Sequence, residues 1–238
     1  MTSSPSKKAS SDKAQAARLC WAHERLGYRF KNPELLKQAL THRSASQKNN
    51  ERLEFLGDAL LSFVVALRLF NAKASESEGD MSRMRAALVK GETLADLGRE
   101  LELELHVIVG AGEQSSGGAR RSSVLANTVE ALIGGILLDG GFAEAEICIN
   151  SLIGDRFQML PDAASLKDAK TKLQEWLQAR GIGLPEYNVK SMEGPPHKRT
   201  FLVQCTVGDD TVIGRGLSRR NAEQDAAKYM LSSLTSDN

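Results

Sequence analysis

The sequence predicts two domains of different class: an all-α domain over residues 14–160 and a small α+β domain over residues 168–238. Three observations support this prediction. Apolar residues recur at helical spacing through most of the first region, a polar segment at residues 161–167 interrupts the pattern, and short β-like runs follow it. The first 13 residues are rich in Ser and Lys and offer almost nothing to bury, so a disordered tail is expected there.

Capping residues indicate where helices of the first domain begin. Asn32 is suited to be an N-cap, and the Pro33 that follows it fits the first turn of a helix. A flexible segment at residues 74–79 precedes two further candidate caps, Asp80 and Ser82. The expected helices run from Asn32 to about Ala39, over residues 50–70, from a cap at Asp80 or Ser82 onward, and over residues 123–138.

The second domain has the predicted order α-β-β-β-α. Asp168 can cap a helix that ends near Arg180, where Gly181 provides a C-terminal stop. Three β-like runs follow, separated by Gly- and Pro-containing turns. A last helix beginning at Ser218 carries Ala and Met residues on one apolar stripe. The change from helical spacing before residue 160 to strand-like runs after it indicates a separate domain.

Composition excludes several classes of protein. The formal net charge is +1, so any binding of nucleic acid must come from local basic patches rather than bulk charge. Cys20, Cys148 and Cys205 are too few and too scattered for a disulfide framework or a zinc cluster. The N-terminus lacks the apolar core of a signal peptide, and no apolar run is expected to reach the length of a membrane span. A cytoplasmic protein with reduced thiols and no membrane partner is expected.

One predicted helix carries a strip of carboxylates. At about 100° per residue, Glu51, Glu54 and Asp58 share a face. The opposite face carries an apolar stripe predicted to be buried, namely Leu53, Leu56, Leu60, Val64 and Leu67. Most such strips are plain solvated faces, but three like charges weaken a helix and only Arg52 lies nearby, pointing elsewhere. A divalent cation would relieve this repulsion, since magnesium prefers oxygen ligands.

A second helix supplies further oxygen ligands. The predicted helix that contains Asn127 and Glu130 is apolar on nearly all of its faces, so it should be buried. A lone buried Glu is most often part of a structural salt bridge, because an unpaired buried charge is costly. With paired oxygen ligands on both helices, a shared metal site is the more economical interpretation. The four histidines are scattered and are not expected to bind metal.

Four sequence blocks resemble those of the ribonuclease III family. The signature is Asn-Glu-Arg-Leu-Glu-Phe-Leu-Gly-Asp at residues 50–58. The other three blocks are residues 40–45, 78–85 and 125–131, and they occur in the family's order. The resemblance extends from about Leu26 to the C-terminus. It implies an all-α endonuclease domain followed by an α+β double-stranded RNA-binding domain.

The resemblance also implies roles for the carboxylates. Glu54, Asp58 and Glu130 match the family's metal ligands, with Asp58 and Glu130 catalytic, and Glu51 and Glu78 match outer acidic positions of the cleft. The expected cofactor is Mg²⁺, with Mn²⁺ as a substitute. The expected reaction cuts double-stranded RNA into fragments with 5′-phosphate and 3′-hydroxyl ends, in processing of ribosomal RNA precursors and other structured transcripts, including messenger and transfer RNA.

Position 127 departs from the family, which usually has Asp there. Asn127 can still donate an amide oxygen to a metal, but the site loses one negative charge. The alternative function is therefore a catalytically weak or silent double-stranded RNA-binding protein. Retention of the three other ligands favours the enzyme.

Phe55 is expected to anchor a homodimer. It projects near the acidic face of its helix rather than into the leucine stripe, and a partly packed surface aromatic is the plainer interpretation. In the family that this chain resembles, the matching Phe inserts into a pocket of the partner subunit, and interfaces favour such aromatic anchors.

The second domain resembles a double-stranded RNA-binding domain, which implies contacts to RNA shape rather than sequence. The basic pair at the start of the last helix can meet phosphates beside free backbone N–H groups. Asn221 stands where the family often has a third basic residue. The implied RNA contacts are Thr171, Gln174, Glu175, His197, Ser218, Arg219, Arg220 and Gln224.

Overall fold

The computed structural model describes residues 5–195 and 198–236, without the side chains of residues 5–11 and 236. The chain forms two compact units, one ending at Ala163 and the other beginning at Ala164. The first unit is built from α-helices and the second from helices and a sheet. His197, one of the expected RNA contacts, lies outside the described residues.

The first unit is a helical bundle whose helices are joined by short loops and two single turns of 3-10 helix. Its one isolated β-bridge pairs Thr41 with Ile108. The helices are α1 (Pro5–Leu26), α2 (Pro33–Ala39), α3 (Glu51–Ala72), α4 (Glu78–Val89), α5 (Gly91–Glu100), α6 (Ala111–Ser115), α7 (Ser122–Gly140), α8 (Phe142–Leu152), α9 (Gly154–Gln158) and α10 (Ala163–Leu166), which crosses the boundary between the units.

The helix starts follow local capping chemistry, with two differences from the sequence predictions. The Asn32 side chain caps α2 as predicted, by accepting a hydrogen bond from the Glu34 N–H. The cap of α4 is Ser77, whose Oγ accepts from the Asp80 N–H, and is neither Asp80 nor Ser82. Asp80 is instead in the first turn, where its charge suits the helix dipole. Helix α1 begins at Pro5, so it extends through most of the segment 1–13 for which a tail was expected.

The crossing of α3 and α7 lies at the centre of the first unit. Glycines make this crossing close: a Cβ at Gly57 would lie 1.8 Å from the Glu130 carbonyl oxygen, and one at Gly134 would lie 2.2 Å from the Leu53 carbonyl oxygen. The two backbones therefore touch where larger residues would separate them. The buried face of α3 is centred on this contact, and it comprises Leu53, Gly57, Leu60, Leu61, Val64, Val65 and Leu69.

This face is rotated relative to the predicted leucine stripe. Leu53, Leu60 and Val64 are buried as expected, whereas Leu56 is only half-buried and Leu67 is exposed. The leucine stripe was predicted from residue type alone. Residue type does not reveal that Gly57 is the point at which α3 approaches α7 most closely. Leu56 and Leu67 are therefore partly accessible at the surface.

Helix α7 is the core helix of this unit. It packs against α3, α5 and α8, and most of its residues are buried. Among the described residues it alone is long and apolar enough to pass for a membrane span, although no run of that length was expected from the sequence. Because 61% of its most apolar window is buried inside the fold, its apolar composition is explained by its place in the core.

The second unit contains helix α11 (Ala169–Gln178), strands β1 (Glu186–Glu193), β2 (Thr200–Val207) and β3 (Asp210–Gly216), and helix α12 (Arg219–Ser236). The strands form an antiparallel sheet in the order β1-β2-β3, with a register shift in β1 between Val189 and Ser191. Side chains from both helices and β2 form the core: Leu173, Leu177, Cys205, Val207, Ala226, Ala227 and Met230. The predicted α-β-β-β-α order is confirmed, and Asp168 caps α11 as expected.

Candidate functional site

The close crossing of α3 and α7 places four predicted ligands together. Glu54 and Asp58 flank Gly57 on α3, and Glu130 supplies the backbone carbonyl that Gly57 contacts. Asn127 lies one turn earlier on α7, lines the same cleft as Glu54 and acts on its pKa. The oxygens predicted from two distant sequence segments are therefore close to one another because two glycines allow the helices to touch.

The charges of these groups interact strongly. Burial, followed by the charges of Asp58 and Glu54, raises the pKa of Glu130 to about 7. Burial also raises the pKa of Glu54, and the nearby Glu51 and Asp58 add to this effect against the opposing influence of the Asn127 hydrogen bond and of Arg43. The site has more negative charge than its surroundings neutralise, so it favours a proton or a cation.

The donor set fits a hard divalent cation by its chemistry. Three carboxylates and one amide oxygen are the ligands that Mg²⁺ takes in proteins. In the described part of the chain, no group of three His, Cys, Asp or Glu side chains is already gathered tightly enough to hold a metal. The fit therefore rests on ligand type and on the mutual charge interaction of Glu54, Asp58 and Glu130.

A cleft opens beside these groups. Two of the predicted site residues on α3, Glu51 and Glu54, line it together with Asn127 of α7. The other polar lining was not predicted from the sequence, and it comes from the turn after α2, the N-cap of α3 and the start of α7. The full lining is His42, Arg43, Asn50, Glu51, Glu54, Ser123, Val124 and Asn127. These residues lie within, or at most two positions before, the family-like blocks at residues 40–45, 50–58 and 125–131, which was the available signal.

Glu51 and Glu78, predicted as outer acidic positions, lie in different surroundings. Glu51 pairs with Arg43 at 3.6 Å, and both side chains are exposed. Glu78 starts α4, accepts a hydrogen bond from the Ser82 hydroxyl at 2.8 Å, and lines an apolar groove between α3 and α4. The structure thus brings Glu51 to the carboxylate cleft and places Glu78 in the α3/α4 groove.

Phe55 is strongly exposed, with 79% of its surface accessible. The same side of α3 also exposes Phe63 and Phe70. These two line the α3/α4 groove, which also contains Ala66, Leu67, Leu69, Glu78, Met81, Ser82 and Arg85. One unit therefore carries both an exposed aromatic knob and a separate apolar groove.

The predicted RNA contacts of the second unit divide into free and engaged groups. Gln174 is exposed on α11, and Arg220 is exposed at the start of α12, where it forms no hydrogen bond or ion pair with the described residues. Glu175 pairs with Lys167 at 2.6 Å, and the Thr171 N–H donates to the Asp168 cap. Thr171 and Arg220 lie in the first turns of α11 and α12, and Gln174 and Glu175 lie in the second turn of α11.

The start of α12 is tied to the start of α11. The Gln224 amide accepts from the Lys170 N–H and donates to Asp168 Oδ1, so both of its polar atoms are engaged within the protein. Gln224, predicted as an RNA contact, therefore joins the two helices in this structure. Glu223 joins them as well, because it pairs with Lys170 at 2.7 Å and with Arg219 at 2.8 Å. Ser218 caps α12 by accepting from the Asn221 N–H.

A helical domain with a carboxylate-lined cleft, followed by an α-β-β-β-α domain with exposed arginines, defines a nuclease with an attached nucleic-acid-binding domain. Comparison with known families agrees with this class. Residues 32–156 match the Ribonuclease-III-like family, and residues 169–234 match the double-stranded RNA binding motif.

Relatives of known identity cover nearly the whole chain. Ribonuclease 3 of Nitrosococcus oceani is 51% identical over 93% of this chain and 95% of that protein. Ribonuclease 3 of Vibrio cholerae is 52% identical over 89% of this chain and 95% of that protein. A solved nuclease domain of ribonuclease III from Campylobacter jejuni, studied for flexibility in a region involved in dimer formation, is 41% identical with a TM-score of 0.57, and the match covers 58% of this chain and 98% of that one.

The chain belongs to the ribonuclease III family. It is an endoribonuclease whose second domain is a double-stranded RNA-binding domain. The family resemblance predicted from the four sequence blocks is confirmed, as is the predicted fold class.

Proposed function

We propose that this protein hydrolyses phosphodiester bonds of double-stranded RNA with Mg²⁺ held by Glu54, Asp58, Asn127 and Glu130. The observation that carries the proposal is the α3/α7 crossing, which gathers these oxygen ligands beside an open cleft. The products are RNA ends with 5′-phosphate and 3′-hydroxyl groups.

The carboxylates have distinct tasks in this reaction. When bound, Mg²⁺ would polarise the phosphate and lower the pKa of an attacking water. Glu130 supplies the most buried carboxylate of the site, and the burial and neighbouring charges that raise its pKa are the conditions that a bound cation would relieve. Asp58 is exposed and can reach a metal or water from the open side of the site. Glu54 lines the cleft together with Asn127, so both can offer an oxygen to the same cation.

Asn127 supports a second candidate function. It supplies oxygen without charge, so a site with Asn at this position holds a divalent cation less tightly than one with four carboxylates. The alternative is a protein that binds double-stranded RNA but cuts it weakly or not at all. We favour the enzyme because Glu54, Asp58 and Glu130 are all present and interact.

We propose further that two copies of the chain pair through α3. Phe55 and Leu69 lie seven positions on either side of Ser62, about 10 Å along the helix axis in each direction. A two-fold axis near Ser62, with the two α3 helices antiparallel, therefore places Phe55 of one copy beside the α3/α4 groove of the other. Burying the exposed aromatics of this face would stabilise the homodimer.

The natural substrates proposed from family membership are precursors of ribosomal RNA and other structured transcripts in the cytoplasm. A domain that reads A-form shape and 2′-hydroxyls suits many different duplexes. The exposed Arg220 would contribute a phosphate contact, so binding should weaken as salt rises.

A cleavage assay tests the proposal. The full chain is incubated with a long RNA duplex, with and without Mg²⁺, and with a DNA duplex of the same length as control. The proposal expects fragments from RNA only when Mg²⁺ is present. Equal cutting of the DNA would contradict recognition by A-form shape, and intact RNA at every Mg²⁺ concentration would favour the silent binding protein.

A further inference from the structure

The turn that carries His42 and Arg43 is fixed to the body of the first unit. The His42 N–H donates to the Ile108 carbonyl oxygen at 2.9 Å, and the Gly110 N–H donates to Ser44 Oγ at 2.9 Å. The approach is so close that a Cβ at Gly110 would lie 2.3 Å from the Ser44 carbonyl oxygen. The turn is therefore a rigid wall of the cleft rather than a loose loop.

Hydrogen bonds within the turn fix the tautomer of His42. Its Nδ1 accepts from the Ser44 N–H at 3.2 Å and lies 2.8 Å from Ser44 Oγ. That hydroxyl already accepts from Gly110, so its own proton is available for Nδ1. With Nδ1 an acceptor from both groups, the proton of the neutral ring is on Nε2. Among the described residues Nε2 has no hydrogen-bond partner, so the half-buried ring offers the cleft an unused N–H.

Arg43 adds a second set of unused donors. Its guanidinium lies 3.6 Å from the Glu51 carboxylate, but 72% of the Arg43 side chain is accessible to solvent. Exposed pairs of this kind contribute little to stability and do not lock the guanidinium in place. The planar fork of an arginine matches two oxygens of a phosphate, and most of its donors remain available here.

These donors line a cleft that otherwise repels its substrate. Glu51 and Glu54 line the same cleft, and Asp58 and Glu130 add their charges nearby. The RNA backbone carries one negative charge per nucleotide, so a strand entering this cleft needs hydrogen-bond donors or positive charge beside the carboxylates. His42 and Arg43 line the cleft and supply such donors.

We infer that His42 Nε2–H and the Arg43 guanidinium bind non-bridging oxygens of an RNA phosphate next to the one being cut. The inference rests on the proposed cleavage of double-stranded RNA and assigns two further substrate-binding residues to that site. The contact is to the backbone, so it contributes to affinity and to alignment of the strand, and it is independent of base sequence.

Two substitutions of His42 separate its role in the turn from its role as a donor. Asparagine places an oxygen near the position of Nδ1, so H42N retains an acceptor for the Ser44 N–H but loses the Nε2 donor. Glutamine places an amide nitrogen near the position of Nε2, so H42Q retains the donor and loses the turn bond. If His42 has a purely structural role, H42N should behave as the native protein. If His42 binds a phosphate, H42Q should behave as the native protein.

The experiment measures KM and kcat of the full-length chain on a 30-base-pair RNA duplex across Mg²⁺ and salt concentrations. We expect H42N and R43Q each to raise KM about tenfold with little change in kcat, because a uniform binding contact is lost. R43Q should also reduce the slope of log affinity against log salt by about 1. H42Q should remain close to the native KM. The matched control is K48Q, which removes a positive charge from the same segment but not from the cleft lining, and it should leave KM unchanged.

Three results would overturn the inference. The first is an unchanged KM in both H42N and R43Q, and the second is a native KM in H42N together with a raised KM in H42Q. The third is an effect of R43Q on the Mg²⁺ requirement alone. The last result would mean that Arg43 only offsets the charge of Glu51. A native protein that cuts no duplex RNA would refute the proposed function instead. In that case the contact would be tested by measuring the dissociation constants of the same variants for the uncut duplex in Mg²⁺. Constants equal to that of the native protein would overturn the inferred phosphate contact.

Discussion

Replacing Gly57 with alanine should separate the two helices that carry the active site. The added Cβ would lie 1.8 Å from the Glu130 carbonyl oxygen and 2.9 Å from the Gly134 nitrogen. Ordinary contacts of this kind are about 3.4 Å, so α3 and α7 must move apart by roughly 1.5 Å to accept it. Overpacking of this kind costs about 1–3 kcal/mol of folding free energy. A displacement of about 1 Å at a catalytic site lowers activity roughly 100-fold.

The assay compares Gly57→Ala with Gly135→Ala in the same chain. A Cβ at Gly135 would meet the Phe30 ring at 3.5 Å and the Ala39 Cβ at 3.7 Å, which are ordinary contacts, so this control should be neutral or stabilised by up to about 1 kcal/mol. For Gly57→Ala we expect a melting temperature lowered by several degrees, a roughly 100-fold loss of cleavage and unchanged duplex binding, since binding depends largely on the second unit. Full cleavage by Gly57→Ala would refute the argument that the glycine contact positions the carboxylates.

Three further predictions concern the metal site, the dimer and the second unit. Asn127→Asp should lower the Mg²⁺ concentration for half-maximal cleavage and leave RNA binding unchanged, because it adds a charged ligand; an unchanged Mg²⁺ profile would contradict a ligand role. Phe55→Asp should shift sedimentation from dimer towards monomer, because it places an unpaired charge in an apolar groove, and a native protein that is monomeric at micromolar concentration would end the dimer proposal. The hydrogen bond from Lys170, helped by Arg219, holds the pKa of Glu223 below its usual 4.5, so this group stabilises the fold above that pH and the stabilisation is lost as pH falls through the lowered pKa. Glu223→Gln should therefore lower the melting temperature at pH 7, with a difference that narrows below pH 4.5; a difference independent of pH would contradict the pairing.

The sequence predicted the order of elements well, because helix caps and a change of period are local signals. Asn32 and Asp168 cap α2 and α11 as expected. The cap of α4 was predicted at Asp80 or Ser82, three or five residues too late, since several polar residues in succession compete for that role and only backbone geometry selects Ser77. Local chemistry thus predicted which helices exist better than where each one begins.

The candidate site was only partly predictable, because it depends on contacts between distant segments. The carboxylate spacing on α3 predicted that Glu54 and Asp58 share a face, and the apolar character of α7 predicted a buried Glu130. That Gly57 and Gly134 bring these helices into contact is a property of the packed pair. His42 and Arg43 were missed because their turn joins the cleft through bonds to residues 108–110, about 65 positions along the chain. Gln224 appeared suited to RNA, but its amide bonds α11 instead.

The most direct test of the central claim is cleavage of duplex RNA by Glu130→Gln across a range of Mg²⁺ concentrations. Glutamine has nearly the same shape as glutamate but carries no charge, and it replaces a carboxyl group whose pKa is raised to about 7 by burial and then by the neighbouring carboxylates. The claim predicts that cleavage is nearly abolished at every Mg²⁺ concentration while the dissociation constant for the uncut duplex stays the same. If Glu130→Gln cuts as fast as the native protein, the carboxylates at the α3/α7 crossing are not the catalytic centre.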